Sequence, residues 1–441
     1  MLTKRNEIFA EMDIISYFCP QLLYYTHLNY MRMKYLQKIK MMVAFLILGA
    51  SVAQANDAVF FVNGSHLQPL QETDIAIKSE VLTITLKDDG FAYVEVDYQF
   101  MNNGEAKDVT MGFEASSPYN SGDEVKLNGA HPNINDFSVV MNGKALNYRN
   151  GLVFSSNDLP EEEAKAGKGK YGFVPIDFSK WKYDEENSER FYNAKTDEYA
   201  NFSYAYYFDA HFNKGLNTVK HTYAYRMSFG VGKAFEVPYW LLPAMRWANH
   251  QIDDFTLRIK TDNCTKHFII ENTPFKGAPF RVTQGKGKTR ELSVKDFDDS
   301  SYKVTEVVLR NGTLEWHRNN FRTDSDMEIL SADQLDYLYD WGNAPVPVYH
   351  DSGVNYMTWM SWVGDFDKYF PGEGSEQKIK QFAARVQRNL PYAHRGYVFK
   401  DAKLRKFFES QWWYMPDPTW KPSADTFSKT EQDMINGTID Q

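Results

Sequence analysis

Between Val59 and about Phe321 the hydrophobic positions recur every second residue. Leu82, Ile84 and Leu86 alternate with Thr83 and Thr85; after Lys87-Asp88-Asp89-Gly90, Val94, Val96, Tyr98 and Phe100 alternate with Glu95, Asp97 and Gln99. Successive strand residues point to opposite faces, and Asp-Gly suits a positive-φ turn position, so this stretch predicts a hairpin with one face buried. Val109 to Phe113 predicts a third strand. Further strands are expected at Thr222–Met227, Phe255–Ile259, Val304–Leu309 and Thr313–Trp316, the last two joined as a hairpin through Arg310-Asn311-Gly312. Many short alternating strands pack most economically as an antiparallel, Ig-like sandwich.

The pattern breaks twice. Residues 161–199 mix Glu161-Glu162-Glu163 and Gly167-Lys168-Gly169-Lys170 with Trp181, Phe191 and Tyr192, which predicts a long insertion partly ordered by its aromatics. Such loops are where a scaffold carries function. From Leu330 helical features take over. Ile379, Phe382, Val386 and Leu390 fall on one face of a helix from Glu376 to Leu390, ended by Pro391 and Gly396. Asp401 caps a short helix burying Leu404, Phe407 and Phe408, ahead of Trp412-Trp413-Tyr414. The expected plan is a β body over 56–325, a linking region over 326–375 with a junction at Pro371-Gly372-Glu373-Gly374-Ser375, and a small helical domain over 376–441.

The N-terminal part changes the picture from fold to address. Lys34, Lys38 and Lys40 precede the apolar run from Met41 to Ala50, and Ala53 and Ala55 follow. A charged start, an apolar segment of about 7–15 residues and an Ala-x-Ala exit make a secretory signal peptide. Residues 33–55 are therefore expected to be cleaved after Ala55, with residues 1–32 an upstream mis-start. The run from Met41 to Ala53 is short against the ~20 residues a spanning helix needs, so no transmembrane segment is expected to remain.

Loss of residues 1–55 takes six basic and three acidic residues from the 49 and 58 of the chain, leaving a net charge of −12. An acidic exported protein is poorly suited to nucleic acid, whose phosphates need a positive surface. Residues 376–441 are mildly basic, with 11 Lys and Arg against 8 Asp and Glu, which leaves a phosphate- or carboxylate-bearing polymer open as a partner. Cys264 alone would survive cleavage, excluding an intrachain disulfide.

The ten histidines are scattered singly, without His-Glu-x-x-His or paired Cys-x-x-Cys, so the spacing supports no metal site. Gly-x-Ser-x-Gly and the Walker spacing are absent, and Asp296, Asp298 and Asp299 lack the frame of a calcium loop. No catalytic residue and no cofactor is indicated, although carboxylates brought together by the fold could still form an acid–base pair. Aromatics make up 16% of the chain, with clusters at Tyr204, Tyr206, Tyr207 and Phe208 and at Trp359 and Trp362; core packing and sugar stacking are both open to them.

The segment Arg388-Asn389-Leu390-Pro391-Tyr392-Ala393-His394-Arg395-Gly396-Tyr397-Val398-Phe399, followed by Leu404, Phe407-Phe408 and Trp413-Tyr414, resembles the YARHG domain of bacterial exported proteins. Ser428-Lys429-Thr430-Glu431 is similar to that domain's closing helix start. The order His394-Arg395 departs from the family's Arg-His. The body, including Tyr239–Ala244 and Arg246-Trp247-Ala248-Asn249, resembles the strand-rich region that precedes this domain in Bacteroidota-type proteins. The resemblance implies a periplasmic or extracellular envelope protein, with a structural or binding role for Arg388, Asn389, Tyr392, His394, Arg395, Gly396, Trp413 and Tyr414. Its partner would be a cell-envelope polymer or envelope protein. An envelope hydrolase acting on glycan or peptide is the competing class.

Overall fold

The computed structural model describes residues 64–71, 73–118, 125–155, 159–161, 163, 173–185, 190–230, 233–295, 301–332, 376–423, 427 and 429–437. The upstream segment, the leader, Gly167–Lys170, Asp296–Asp299, the two tryptophans at 359 and 362, the junction and the Cys264 side chain lie outside the described residues.

Strands begin with β1 (Gly64–Ser65), β2 (Gln68–Pro69), β3 (Ala76–Leu86), β4 (Phe91–Asn102), β5 (Lys107–Ser116), β6 (Ile134–Met141), β7 (Lys144–Ala145) and β8 (Arg149–Phe154). Three short ones follow, β9 (Lys182–Asp184), β10 (Arg190–Asn193) and β11 (Glu198–Ala200). Then come β12 (Phe202–Phe212), β13 (Gly215–Arg226), β14 (Ser228–Gly230), β15 (Lys233–Trp240), β16 (Ile252–Glu271), β17 (Arg281–Lys295), β18 (Ser301–Phe321) and β19 (Met327–Ser331). The large sheet runs β1-β15-β19-β16-β3-β4-β13-β6-β7, with β14 on β15 and the β17–β18 ribbon on β16. A second sheet, β2-β5-β12-β8, covers it, and β11-β10-β9 form a small third.

The predicted hairpin is β3–β4, turning at Gly90 with φ +81°. Its alternating face, Leu82, Ile84, Leu86, Val94, Val96, Tyr98 and Phe100, is fully buried. Phe113 of β5 stacks on Tyr223 of β13 at 5.0 Å, and Phe100 of β4 meets Phe212 of β12 at 5.6 Å, so the two sheets share one core. Each such side chain contributes about 1.5–3 kcal/mol of transfer free energy. The expected mainly-β sandwich is what the chain forms, and the pairing is antiparallel except at β1–β15 and β16–β3, which are parallel. Within residues 161–199, β9 to β11 are held by Phe191 against Phe202 (5.3 Å), and Trp181 against Phe154 (5.1 Å) packs the approach to β9.

Three expectations need correcting, the first at Leu330, which pairs in β19 and does not begin the helical part. Arg310-Asn311-Gly312 does not turn a hairpin: β18 runs straight through it. Asn311 has φ +43°, but it forms a bulge, a single residue facing residues 262–264 of β16 and lying opposite Gly285 of β17 (φ +74°). A Cβ on Gly285 would sit 2.2 Å from the Asn311 carbonyl oxygen, so the joint closes only around glycine. The inserted residues exchange which positions face inward. Leu314 and Trp316 point into the core before the joint, and Val307 and Leu309 beyond it. Beyond the joint, the ribbon's other face is therefore free to carry a second layer.

That layer is the C-terminal part, α1 (Glu376–His394), α2 (Ala402–Glu409) and α3 (Lys429–Asn436). Its own core gathers Ile379, Phe382, Val386, Leu390, Leu404, Phe407, Phe408 and Trp413, with Val308 of β18 completing it. Asp401 caps α2 as expected, accepting from the Lys403 and Leu404 amides at 3.0 Å. Pro391 does not end α1, which continues to His394. A proline lacks only its own N–H, and here a single turn remains whose carbonyls are taken by Arg395, Tyr397 and Gly396.

Candidate functional site

Beyond the joint, register places three rows on one face of the ribbon: Thr265, Arg310 and Lys286; His267, Val308 and Lys288; Ile269, Glu306 and Arg290. Each position is two residues from the next along its strand, the spacing that keeps side chains on one side of a sheet. Sequence reasoning missed this surface. Its signal was the run of cations at Lys286, Lys288 and Arg290 with a period of two.

The C-terminal module lies on these rows. Lys286 binds Asp417 at 2.6 Å, and Lys288 donates to the carbonyls of Trp412 and Tyr414 at 3.1 and 2.9 Å. Arg290 lies over the Trp412 ring, 4.4 Å from its centroid, and Thr265 donates to the His394 carbonyl at 3.1 Å. Burial pulls the Lys288 ammonium below its ordinary pKa. The bond from Lys286, aided by Thr419, holds Asp417 below the usual carboxylate range. Burial alone would raise Glu306, yet its bonds to His267 (2.7 Å) and Arg290 outweigh it and hold that carboxyl low as well.

The predicted motif residues divide between this seat and the module's interior. Gly396, with φ +82°, closes α1: its amide returns to the Ala393 carbonyl and that of Tyr397 to Tyr392, the paired bonds of a glycine-ended helix. A Cβ there would lie 2.4 Å from both Arg310 Nη1 and the Met415 carbonyl. His394 is buried and stacked on Trp413 with centroids 4.6 Å apart; burial first, then the charges of His267, Arg395 and Arg310, pushes its pKa well below the ordinary value. Arg395 grips Glu431 of α3 with two bonds, 2.6 and 3.0 Å, and covers Phe427. Tyr392 packs edge-on to Phe427 at 4.8 Å, and the Tyr414 hydroxyl donates to the Tyr397 carbonyl at 2.6 Å. Asn389 donates within α1, to the Arg385 carbonyl at 2.7 Å, and Arg388 is exposed. The motif thus brings Gly396, the His394 carbonyl and Tyr414 to the ribbon, whereas Arg388 stands apart from it.

Arg388→Ala is accordingly expected to change stability by no more than about 0.5 kcal/mol. Arg395→Ala removes two bonds from the buried Glu431 carboxylate and is expected to cost about 2–3 kcal/mol. Urea unfolding of the two variants checks the order.

A second cluster of titratable groups lies in the sandwich core. His66 Nε2 is 3.1 Å from Glu80 Oε1, both fully buried, with Tyr98 and His221 beside them. Burial, then the charge of His221, pushes His66 down to about 3; burial alone takes His221 to about 3 and raises Glu80 well above its ordinary value. Burial thus favours the neutral form of each. Closed off among Phe113, Phe137 and Phe255, they offer a substrate no approach. An open concavity of about 360 Å³ lined by Gln71, Thr73, Asp74, Lys107 and Val109 holds one carboxylate, Asp74, already paired with Lys107. Among the described residues no three His, Cys, Asp or Glu side chains gather as a metal would need, and no helix is long and apolar enough to cross a membrane.

The helical part on the ribbon is the stretch with a specific counterpart. Residues 373–440 match the YARHG domain. Residues 55–239 match a domain of unknown function, DUF4424, which covers the core cluster and most of the sandwich. No curated protein matches the chain. Among solved structures, a candidate nutrient-binding protein of Legionella pneumophila is similar at 16% identity and a TM-score of 0.45, over 87% of this chain and 100% of that one. An M1 zinc metallopeptidase of Deinococcus radiodurans matches at 6% and 0.21, over 56% of this chain and 43% of that one. Baculovirus P35 matches at 9% and 0.22, over 59% and 98%. None of these likenesses bears on function.

Proposed function

We propose that this is an exported, non-catalytic protein of the bacterial cell envelope, in which the YARHG domain is a docked structural unit and the sandwich serves as the binding body. The observation that carries the docked role is the use of the motif's backbone: the Gly396 turn and the carbonyls of His394, Trp412 and Tyr414 are taken up by the chain's own ribbon. Export is supported by the leader at 33–55 and by the start of the DUF4424 match at residue 55, where the signal peptide is expected to end. The Bacteroidota affinity of the body rests on Tyr239–Asn249 and belongs to the same proposal. So does the partner, an envelope polymer or envelope protein.

N-terminal sequencing of the native protein, recovered from periplasmic or secreted fractions, is expected to give Asn56 first. Full-length protein confined to the cytosol overturns the reading. Pull-down of the mature chain against isolated envelope polymers then identifies the partner class.

A further inference from the structure

The seat of the YARHG domain gathers more cations than carboxylates. Lys286 is bonded to Asp417, Arg290 shares Glu306 with His267, and Arg395 is bonded to Glu431. Lys288 is answered by two backbone carbonyls. Arg310 has only a share of Asp417, at the long distance of 3.7 Å. Its side chain is only 12% exposed, and both of its terminal nitrogens are buried without a hydrogen bond. The nearest carboxylate, Asp417, is 3.7 Å away and already accepts from Lys286, from the Thr419 hydroxyl and from the Thr419 amide. Two more buried nitrogens in the same seam lack a partner: Trp413 Nε1, on the ring stacked against His394, and His267 Nδ1, in the row next to Arg310. An indole N–H and a guanidinium can only donate. A buried guanidinium without an acceptor is costly, and an anion offering several oxygens is the chemistry that relieves it.

We propose that the seam between the ribbon and the YARHG domain binds a free tetrahedral oxyanion such as phosphate, anchored by the Arg310 fork and flanked by Trp413 Nε1 and His267. Arg310 presents two adjacent N–H groups matched to two oxygens of one ion, which a lysine cannot do. Because Arg310 reaches from the ribbon to the Gly396 turn, the bound ion ties the two layers together. The site is independent of the export reading.

The test is calorimetric titration of the mature chain with inorganic phosphate at constant ionic strength, paired with chemical unfolding. Saturable binding is expected, with the folding constant rising about 100-fold when phosphate reaches 100 times its dissociation constant. Arg310→Gln is expected to abolish binding. Asp417→Asn removes the competing carboxylate without removing a donor to the ion and is expected to tighten binding at least fivefold, a gain that simple loss of structure does not produce. Glucose 1-phosphate, which carries the same group on a sugar, is expected to bind at least tenfold more weakly because the seam is closed. Absence of saturable phosphate binding, or unchanged affinity in Asp417→Asn, overturns the site. Equal binding of the sugar phosphate overturns the free ion as its occupant.

Discussion

Gly396→Ala is expected to weaken the seating of the YARHG domain by about 2–4 kcal/mol. Two costs add. The left-handed backbone disfavours any Cβ by roughly 1–2 kcal/mol. The new methyl also meets Arg310 Nη1 and the Met415 carbonyl at 2.4 Å, so both layers must part. Gly90 separates the terms, because it has nearly the same φ, +81°, with nothing within 4 Å of its would-be Cβ. Gly90→Ala should therefore show the backbone cost alone. Chemical unfolding and limited proteolysis of both variants measure the difference. Equal losses in the two would mean that the close contact with Arg310 plays no part.

The second large effect is acid instability with a defined shape. His66 and His221 bind protons more weakly in the folded protein, at about 3, than in an unfolded chain near 6.5. Their contribution to stability is complete above about pH 6.5 and drains as the pH falls, at roughly 1.4 kcal/mol per unit for each. Glu80 works in the opposite sense. Its raised value means the folded state keeps a proton that the unfolded chain gives up, so its contribution is present below about 4.5 and lost as the pH rises. Just above about 4.5 Glu80 opposes the histidines and makes the net slope shallower; below 4.5 both histidines act unopposed. His221→Phe, which fits among Phe113, Phe137 and Tyr223, is expected to flatten the profile by about 1.4 kcal/mol per unit without loss of stability at pH 7. Unfolding measured from pH 7 to 4 in both proteins decides it, and parallel profiles would place the acid sensitivity elsewhere.

What the sequence disclosed depended on whether a local pattern had one physical solution. Leu82 to Phe100 alternates strictly around Asp-Gly, and only a hairpin buries that face. Arg310-Asn311-Gly312 carries the same turn chemistry, but a positive-φ asparagine serves a bulge equally well, and the choice is made by β16 and β17 on either side. Pro391 was a poor stop signal for a similar reason, since loss of one bond in a final turn is small beside burial of Leu390 and Ala393. Glu80 was visible in principle: it is in phase with Leu82, Ile84 and Leu86, which puts a carboxyl on the core face. His221 is likewise in phase with Val219 and Tyr223. Gly396, Trp413 and Asp417, which make Arg310 conspicuous, lie more than 80 residues away, and no local pattern connects them.

Among the described strands β17 pairs with β18 alone, so its outer edge presents backbone donors and acceptors to whatever comes near. A rim fifteen residues long is an invitation to another chain's strand and, through it, to fibrous growth. Lys286, Lys288 and Arg290 lie along that strand with Gly285 and Gly287 between them, so a neighbouring copy meets like charge and an interrupted ladder. The cations that seat a domain on one side thereby also keep separate molecules from zipping together, a solubility safeguard written into the same few lysines and arginines.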